Sequence, residues 1–362
     1  MTRKIQSIRT RMVSIPLERP LITATFPITA IDTVIVDVHT NDGISGLGWV
    51  FAFGRGRVRG IQSMIDDIGG LIVGEDAGHI QRCLQKMRNA CTFIGHSGAA
   101  IIAISPLETA LWDIAGKVAG VPLAQLLGGY RDAIEVYASE GLWLNQSIDE
   151  LQVQAASFVT RGFRGMKMRA GKPNVDDDLA RVAAVREAIG PDVKLMVDAN
   201  QAWDVPTALR FIRNCEEQDL LWLEEPIYHQ DYAGMARLAS QSSTPLCVGE
   251  TNYAIEDFRR LCQEGCGHFI MPDLMRTAGI SNWMKVAHLA EAFHLPITPH
   301  LFMEVSSHQA CALPNAVWQE HQPWWEPIWK EPVDFRDGKI HIRQRPGLGV
   351  EWNEDAIKEY LV

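Results

Sequence analysis

Three carboxylates recur at the ends of three short apolar runs. Asp198 ends VKLMVDA (193–199), Glu224 ends LLWLEE (220–225) and Glu250 ends PLCVGE (245–250), with successive acids 26 residues apart. That interval suits one strand–helix unit, and side chains at the C-terminal ends of parallel barrel strands converge on a single mouth. Three carboxylates gathered there repel one another unless a counter-charge is present. Oxygen ligands with open positions suit a hard dication, Mg²⁺ above all. Lys167 and Arg169 stand at i and i+2 in GMKMR (165–169). In a strand of period two they share a face, where they supply positive charge beside the acids. Asp273 and His300 end two later runs, HFIMPD and LPITPH. On neighbouring strands such an Asp accepts from one imidazole nitrogen and orients the other as a base. Glu320 ends a weaker run over 315–320.

Taken together, these types point to one chemistry. A metal and a cation hold a substrate carboxylate, and a base opposite takes the proton α to it. The reaction proceeds only if the developing enediolate charge is stabilised by the metal and by hydrogen-bond donors. Metal-assisted hydrolysis stays open on residue types alone.

The elements that must position these groups fall into three blocks. Residues 3–14 and 31–38 read as strands, and Asp42-Gly43 makes a hairpin into GLGWVFAF. Segments 20–29 and 54–60 read as loops, and helical periodicity covers 58–72, 76–88 and 98–117. From 134 to 320 eight short apolar runs alternate with helix-length segments. One such segment, 175–190, begins acidic and stops at Gly190-Pro191. Buried strands alternating with helices indicate a parallel sheet, and eight units indicate a closed barrel. An open doubly wound sheet is the rival, but no glycine-rich dinucleotide fingerprint follows the early strands. The division expected is a capping domain over 1–130, a barrel over 131–330, and a segment over 331–362 that returns to the cap.

Composition narrows the class. The 362 residues are 47% hydrophobic and 22% charged, enough for a sizeable core, with a net charge of −10. That charge disfavours a nucleic-acid or anionic-membrane partner. Seven cysteines show no metal-ribbon spacing and no disulfide framework, which suits a reducing compartment. The N-terminal residues read without an apolar leader, and no apolar span of 18 residues is expected. The expectation is a soluble, cytoplasmic protein.

With these residues in place, the sequence resembles the enolase superfamily, and within it the mandelate racemase subgroup. The marks are KMR (167–169), VDANQ (197–201), EEP (224–226), GE (249–250), MPD (271–273), HLFMEVSSH from His300, LPNAVWQE, and PGLGVEWNEDAIKEYLV. The resemblance implies an α/β fold, a (β/α)7β-type modified TIM barrel with an α+β capping domain, and a homo-oligomer. It implies Asp198, Glu224 and Glu250 as Mg²⁺ ligands with Asn200 close by, and His300 as acid/base paired with Asp273. Lys167 would meet the substrate carboxylate, and Glu320 would hydrogen-bond to it as the enediolate forms. Segments 20–29, with Phe26, and the GRGR stretch, with Arg55, resemble loops that close over the site. Ser139 and His96 fall where they could face the same pocket.

One departure matters. The subgroup usually carries Lys-x-Lys where this chain has Lys167-x-Arg169. Arginine stays charged near neutrality and is a poor base. A two-base racemisation therefore lacks one of its bases. The expected reaction is dehydration of a sugar acid, an aldonate or aldarate, to a 2-keto-3-deoxy acid. Racemisation or epimerisation of a 2-hydroxy acid is the alternative, and a non-catalytic binding protein on the same fold is the other.

Overall fold

Asp42 and Gly43 turn the chain as DG pairs do, with Gly43 at φ +84° and the Thr40 hydroxyl donating to Asp42. The hairpin belongs to an antiparallel sheet of β1 (Ile5–Ile22), β2 (Pro27–Thr40) and β3 (Ser45–Ala52), in that order. This computed structural model describes residues 2–22 and 27–362, with Ile22 described by its backbone alone. Two segments read as loops are regular structure instead. Residues 20–22 and 27–29 continue β1 and β2, because proline is tolerated on an edge strand and at a strand's first residue. The GRGR stretch opens α1 (Arg55–Gly70), with Gly54 at φ +106° just before it. Its apolar face starts only at Val58, so periodicity could not reveal the first turn.

Two more helices, α2 (Ile80–Ala90) and α3 (Ala99–Ala119), and the short α4 (Leu123–Leu126) complete the cap. Glycine lets α3 lie directly on β3. A Cβ on Gly46 would come 2.0 Å from the Ala110 carbonyl oxygen, and one on Gly48 2.1 Å from that of Pro106. The sequence predicts no long apolar span, yet α3 is long and apolar enough to cross a membrane. Most of it is buried against the cap sheet, which accounts for its composition.

The barrel then unfolds as repeating units. They are β4 (Ala133–Ala138), α5 (Ile148–Thr160), β5 (Gly165–Arg169), α6 (Val175–Ile189), β6 (Lys194–Asp198) and α7 (Val205–Asn214). After them come β7 (Leu220–Glu224), α8 (Tyr232–Gln241), β8 (Leu246–Val248), α9 (Ile255–Glu264), β9 (Phe269–Ile270) and α10 (Ile280–Ala292). The last unit is α11 (Met303–Ala312) and β10 (Gln319–His321). Strands β4 to β9 pair in parallel, each with the next. The run at 295–300 forms no full strand. Ile297 makes single bridges to Ile270 and Ala316, and His300 one to Asp273. Pro296 and Pro299 remove the donors a full ladder needs. β10 pairs in parallel with β4 and closes the barrel. Inside, Tyr137, Met196, Trp222, Cys247 and Met271 form a buried apolar floor.

The chain ends on β11 (Asp334–Arg336), β12 (Lys339–His341) and α12 (Glu354–Tyr360). β12 joins the sheet antiparallel to β4, while the tail reaches the cap through Arg11–Glu354 and Trp352–Asp37 contacts. Trp49 of β3 packs against Phe302, Trp325, Trp329 and Trp352, so one aromatic cluster joins cap, barrel and tail.

Candidate active site

Alternation on the central strands decides which side chains meet. Met196 and Trp222 point into the barrel floor, so Asp198 and Glu224, two residues on, occupy the layer above. Glu250 follows β8 just past Gly249, whose φ of +127° needs glycine. Oxygens of Asp198, Glu224 and Glu250 all lie within 4.8 Å of one another, and the three residues are 2%, 0% and 8% exposed. Burial raises the Asp198 and Glu224 carboxyls above their usual range, with the neighbouring acids adding to it. Glu250 goes the other way. Burial would raise it, but His300, Lys167 and Arg276 hold it down at about 2. Three buried carboxylates converging on one point are a donor set that fits Mg²⁺.

Lys167 lies inside this cluster. Its Nζ donates to Glu224 at 2.7 Å and is 3.0 Å from Glu320 and 3.7 Å from Asp198. Burial alone would lower its pKa, but Glu224, Glu320 and Asp198 outweigh that and hold it well above the ordinary lysine value. Lys167 is therefore a cation and donor here. Arg169 is anchored on the same face. Its Nη1 donates to the Ser139 carbonyl at 3.1 Å, its Nη2 to the Ser139 hydroxyl at 3.1 Å, and its Nε is 3.5 Å from Asp198. The guanidinium stacks over Trp143, 4.4 Å from the ring centre.

His300 stands beside the third acid. Its Nδ1 is 2.6 Å from Asp273 Oδ2, and its Nε2 is 3.4 Å from Glu250. Burial would lower the imidazole pKa, but Glu250, Asp273 and Glu320 raise it above the usual value. Asp273 also accepts the Arg276 backbone N–H at 2.8 Å, which fixes the carboxylate. Glu320 accepts from the Ser139 hydroxyl at 2.6 Å and from the Leu301 N–H at 2.8 Å. Asn200 sits behind Asp198, donating its backbone N–H at 2.9 Å and its Nδ2 at 3.0 Å.

The structure thus gathers Asp198, Glu224, Glu250, Lys167, Arg169, Asp273, His300, Glu320, Asn200 and Ser139 at one mouth. Two further candidates make no hydrogen bond or ion pair with this group among the described residues. Arg55, 59% exposed at the start of α1, faces Asp32 at 3.9 Å. His96 is exposed, with Nε2 3.0 Å from the Arg88 carbonyl, and no hydrogen bond or ion pair among the described residues ties it to the cluster. Phe26 lies outside the described residues.

Some contributors were missed. Trp222 donates to Glu224 at 3.1 Å, and its position two residues earlier on the same strand face could have shown it. Trp143 under Arg169, and Arg276, which donates to the Glu250 carbonyl at 2.6 Å, sit in loops without periodicity. Half-buried Glu140 accepts from Trp324 at 2.7 Å and from Gln322, and burial raises its carboxyl to about 7. Nothing in its sequence setting marks it.

Comparison with known proteins follows the same lines. A family model described as enolase C-terminal domain-like matches residues 150–356. One described as mandelate racemase / muconate lactonizing enzyme, N-terminal domain, matches residues 5–128. Over 359 residues the chain is 35% identical to the L-talarate/galactarate dehydratase of Salmonella typhimurium, covering 98% of this chain and 90% of that one. It is 34% identical over 349 residues to the 3,6-anhydro-alpha-L-galactonate cycloisomerase of Streptomyces coelicolor, covering 96% of each. The crystal structure of the Salmonella dehydratase liganded with Mg and L-lyxarohydroxamate is similar with a TM-score of 0.96 at 34% identity, covering 100% of this chain and 94% of that one.

Proposed function

This chain belongs to the mandelate racemase / muconate lactonizing enzyme family of the enolase superfamily, and on that premise we propose that it dehydrates a sugar acid, an aldonate or aldarate, to the 2-keto-3-deoxy acid. It is a Mg²⁺-dependent enzyme. Asp198, Glu224 and Glu250 hold the ion, which when bound supplies positive charge to the substrate carboxylate and to the enediolate that develops from it.

The chain's own residues do the rest. Lys167 donates to the same carboxylate and offsets its charge. Asp273 accepts a hydrogen bond from the His300 Nδ1–H and so leaves Nε2 as the base that takes the α-proton. The electron pair of the broken C–H bond then expels the β-hydroxyl. The imidazolium returns the proton to that hydroxyl, which departs as water, and the enol left behind becomes the 2-keto-3-deoxy acid. One base serves both steps.

The observation that carries this reading is the state of Arg169. It is pinned to Ser139 and Asp198, and arginine does not give up its proton near neutrality. A racemase or epimerase needs a base on each face, so that alternative loses its second base. NMR of acid recovered after partial turnover tests the choice. Disappearance of substrate without its C2 epimer is expected, and accumulation of that epimer would favour the alternative.

A small-molecule carboxylate is the partner this reading requires. We further read the chain as a cytoplasmic homo-oligomer. All seven cysteines are free and buried, which suits a reducing compartment. Fully exposed Phe93 and exposed Ile94 offer a second copy an apolar contact.

A further inference from the structure

Each of the three acids is followed within three residues by a polar side chain, and those three side chains bond to one another. Gln201 follows Asp198, Glu225 follows Glu224, and Thr251 follows Glu250. Glu225, 2% exposed, accepts at Oε2 from Gln201 Nε2 at 2.7 Å and from the Thr251 hydroxyl at 2.8 Å. Its Oε1 accepts the Thr251 backbone N–H at 3.3 Å, and Gln201 Nε2 also donates to Thr251 Oγ1 at 3.1 Å. The triangle is closed. Its orientation is set from outside by His229, whose backbone N–H donates to Gln201 Oε1 at 3.0 Å. Backbone bonds carry the tie on: Gln201 N–H to the Glu225 carbonyl at 2.7 Å, and Glu225 N–H to the Cys247 carbonyl at 3.0 Å.

Two facts say that this ring holds something under load. Asn200, Gln201 and Glu225 have φ of +43°, +62° and +34°, left-handed values that cost a non-glycine residue on the order of 1 kcal/mol each. They persist only where the surroundings over-determine them. In addition, the three acids repel one another, and strand ends free to spread would relax that repulsion by separating them. Among the described residues none of the three ring members hydrogen-bonds to Lys167, Arg169 or His300, so the ring serves the strand ends that carry the acids.

We infer that Gln201, Glu225 and Thr251 are positioning residues that keep Asp198, Glu224 and Glu250 at the separation a small dication needs. The inference rests on the reading of those acids as the Mg²⁺ ligands. Outer partners of ligands commonly change metal affinity 10–100-fold. A ring that fixes spacing also favours Mg²⁺ over the larger Ca²⁺, which tolerates wider and more flexible sites.

Calorimetric titration of the full chain, stripped of metal with a chelator, tests this with Mg²⁺ and Ca²⁺ separately. Thr251→Val removes the hydroxyl that both donates and accepts in the ring, Gln201→Met removes the other donor, and Thr251→Ser keeps the hydroxyl. The result expected is a Mg²⁺ Kd about 10–100-fold weaker in Thr251→Val and Gln201→Met, with Ca²⁺ affected less and Thr251→Ser within about threefold of wild type. Unchanged Mg²⁺ binding overturns the inference. Equal loss for both ions alongside a lowered melting temperature overturns it too, by assigning the ring a merely structural role. Should Thr251→Val fail to fold, Gln201→Met at the half-exposed corner decides alone. Failure of the wild-type chain to bind Mg²⁺ would overturn the inference together with the reading beneath it.

Discussion

His300 and Lys167 are both polar groups among carboxylates, yet their surroundings give them opposite work. Lys167 is 1% exposed and clasped by Glu224 and Glu320, which keeps it charged. His300 has one nitrogen on Asp273 and the other toward the cluster. Replacing it by Asn keeps a polar side chain and removes the base. Steady-state assays of His300→Asn should show turnover reduced by about 10²–10⁴-fold, the usual contribution of a general base, with Mg²⁺ binding retained. A variant that keeps most of its turnover would show that another group takes the proton. Position is what sequence made legible at this scale: an acid ending a strand, or two residues sharing a strand face, follows from period alone. Arg55 and His96 had no such anchor. The resemblance puts Arg55 in a closing loop, where the structure opens a helix, and His96 bonds to the Arg88 carbonyl.

Glycine shows how closely the elements beneath the site are packed. Gly48 lets β3 rest on the backbone of α3, and β3 carries Phe51 toward Trp324 and Trp325 at the barrel rim. A methyl group there would meet the Pro106 backbone at 2.1 Å, and neither partner is a flexible side-chain end. Gly48→Ala should lower unfolding free energy by roughly 1–3 kcal/mol or more. Gly60 is the contrast, an exposed position inside α1 with nothing within 4 Å, so Gly60→Ala should raise it by about 0.5–1 kcal/mol. Urea denaturation of both variants checks the pair, and equal effects would refute the packing account. Elements with a clean period, such as β5 and α6, could be read directly from apolar spacing and caps. The run at 295–300 could not, because its two prolines allow bridges but no ladder, and only the neighbouring backbones show that it links β9 to the segment leading into β10.

Cap, barrel and tail are tied by buried polar contacts as well as by the tryptophan cluster. His308 on α11 accepts the Ala124 N–H at Nδ1 (3.2 Å) and lies 3.1 Å from the Leu348 carbonyl at Nε2, so it joins three segments as a neutral ring. Burial lowers its pKa from 6.5 to about 4. The folded state thus resists a proton that the unfolded chain accepts. Its contribution is complete above pH 6.5 and is lost as pH falls through about 4, to a limit of about 3 kcal/mol. Glu304, one turn earlier, is raised to about 7 by burial and has the opposite slope between pH 7 and 4.5, so the effect must be read as a difference. Denaturation of wild type and His308→Gln at pH 7, 5.5 and 4.5 should show the wild type losing its advantage as pH falls. Parallel curves would contradict the assignment. None of this wiring was visible in composition, since a histidine that caps and a histidine that catalyses are spelled alike.

The net charge of −10 belongs to the whole surface, while the mouth concentrates Lys167, Arg169 and three acids suited to Mg²⁺ around an anionic substrate. The account therefore turns on chemistry at that mouth. Its most direct test is a panel of aldonates and aldarates incubated with the Mg²⁺-loaded protein, with 2-keto acid measured as its semicarbazone. The account predicts keto acid from at least one member, abolished by chelator and by His300→Asn. No keto acid from any member, or formation that persists in His300→Asn, would contradict it.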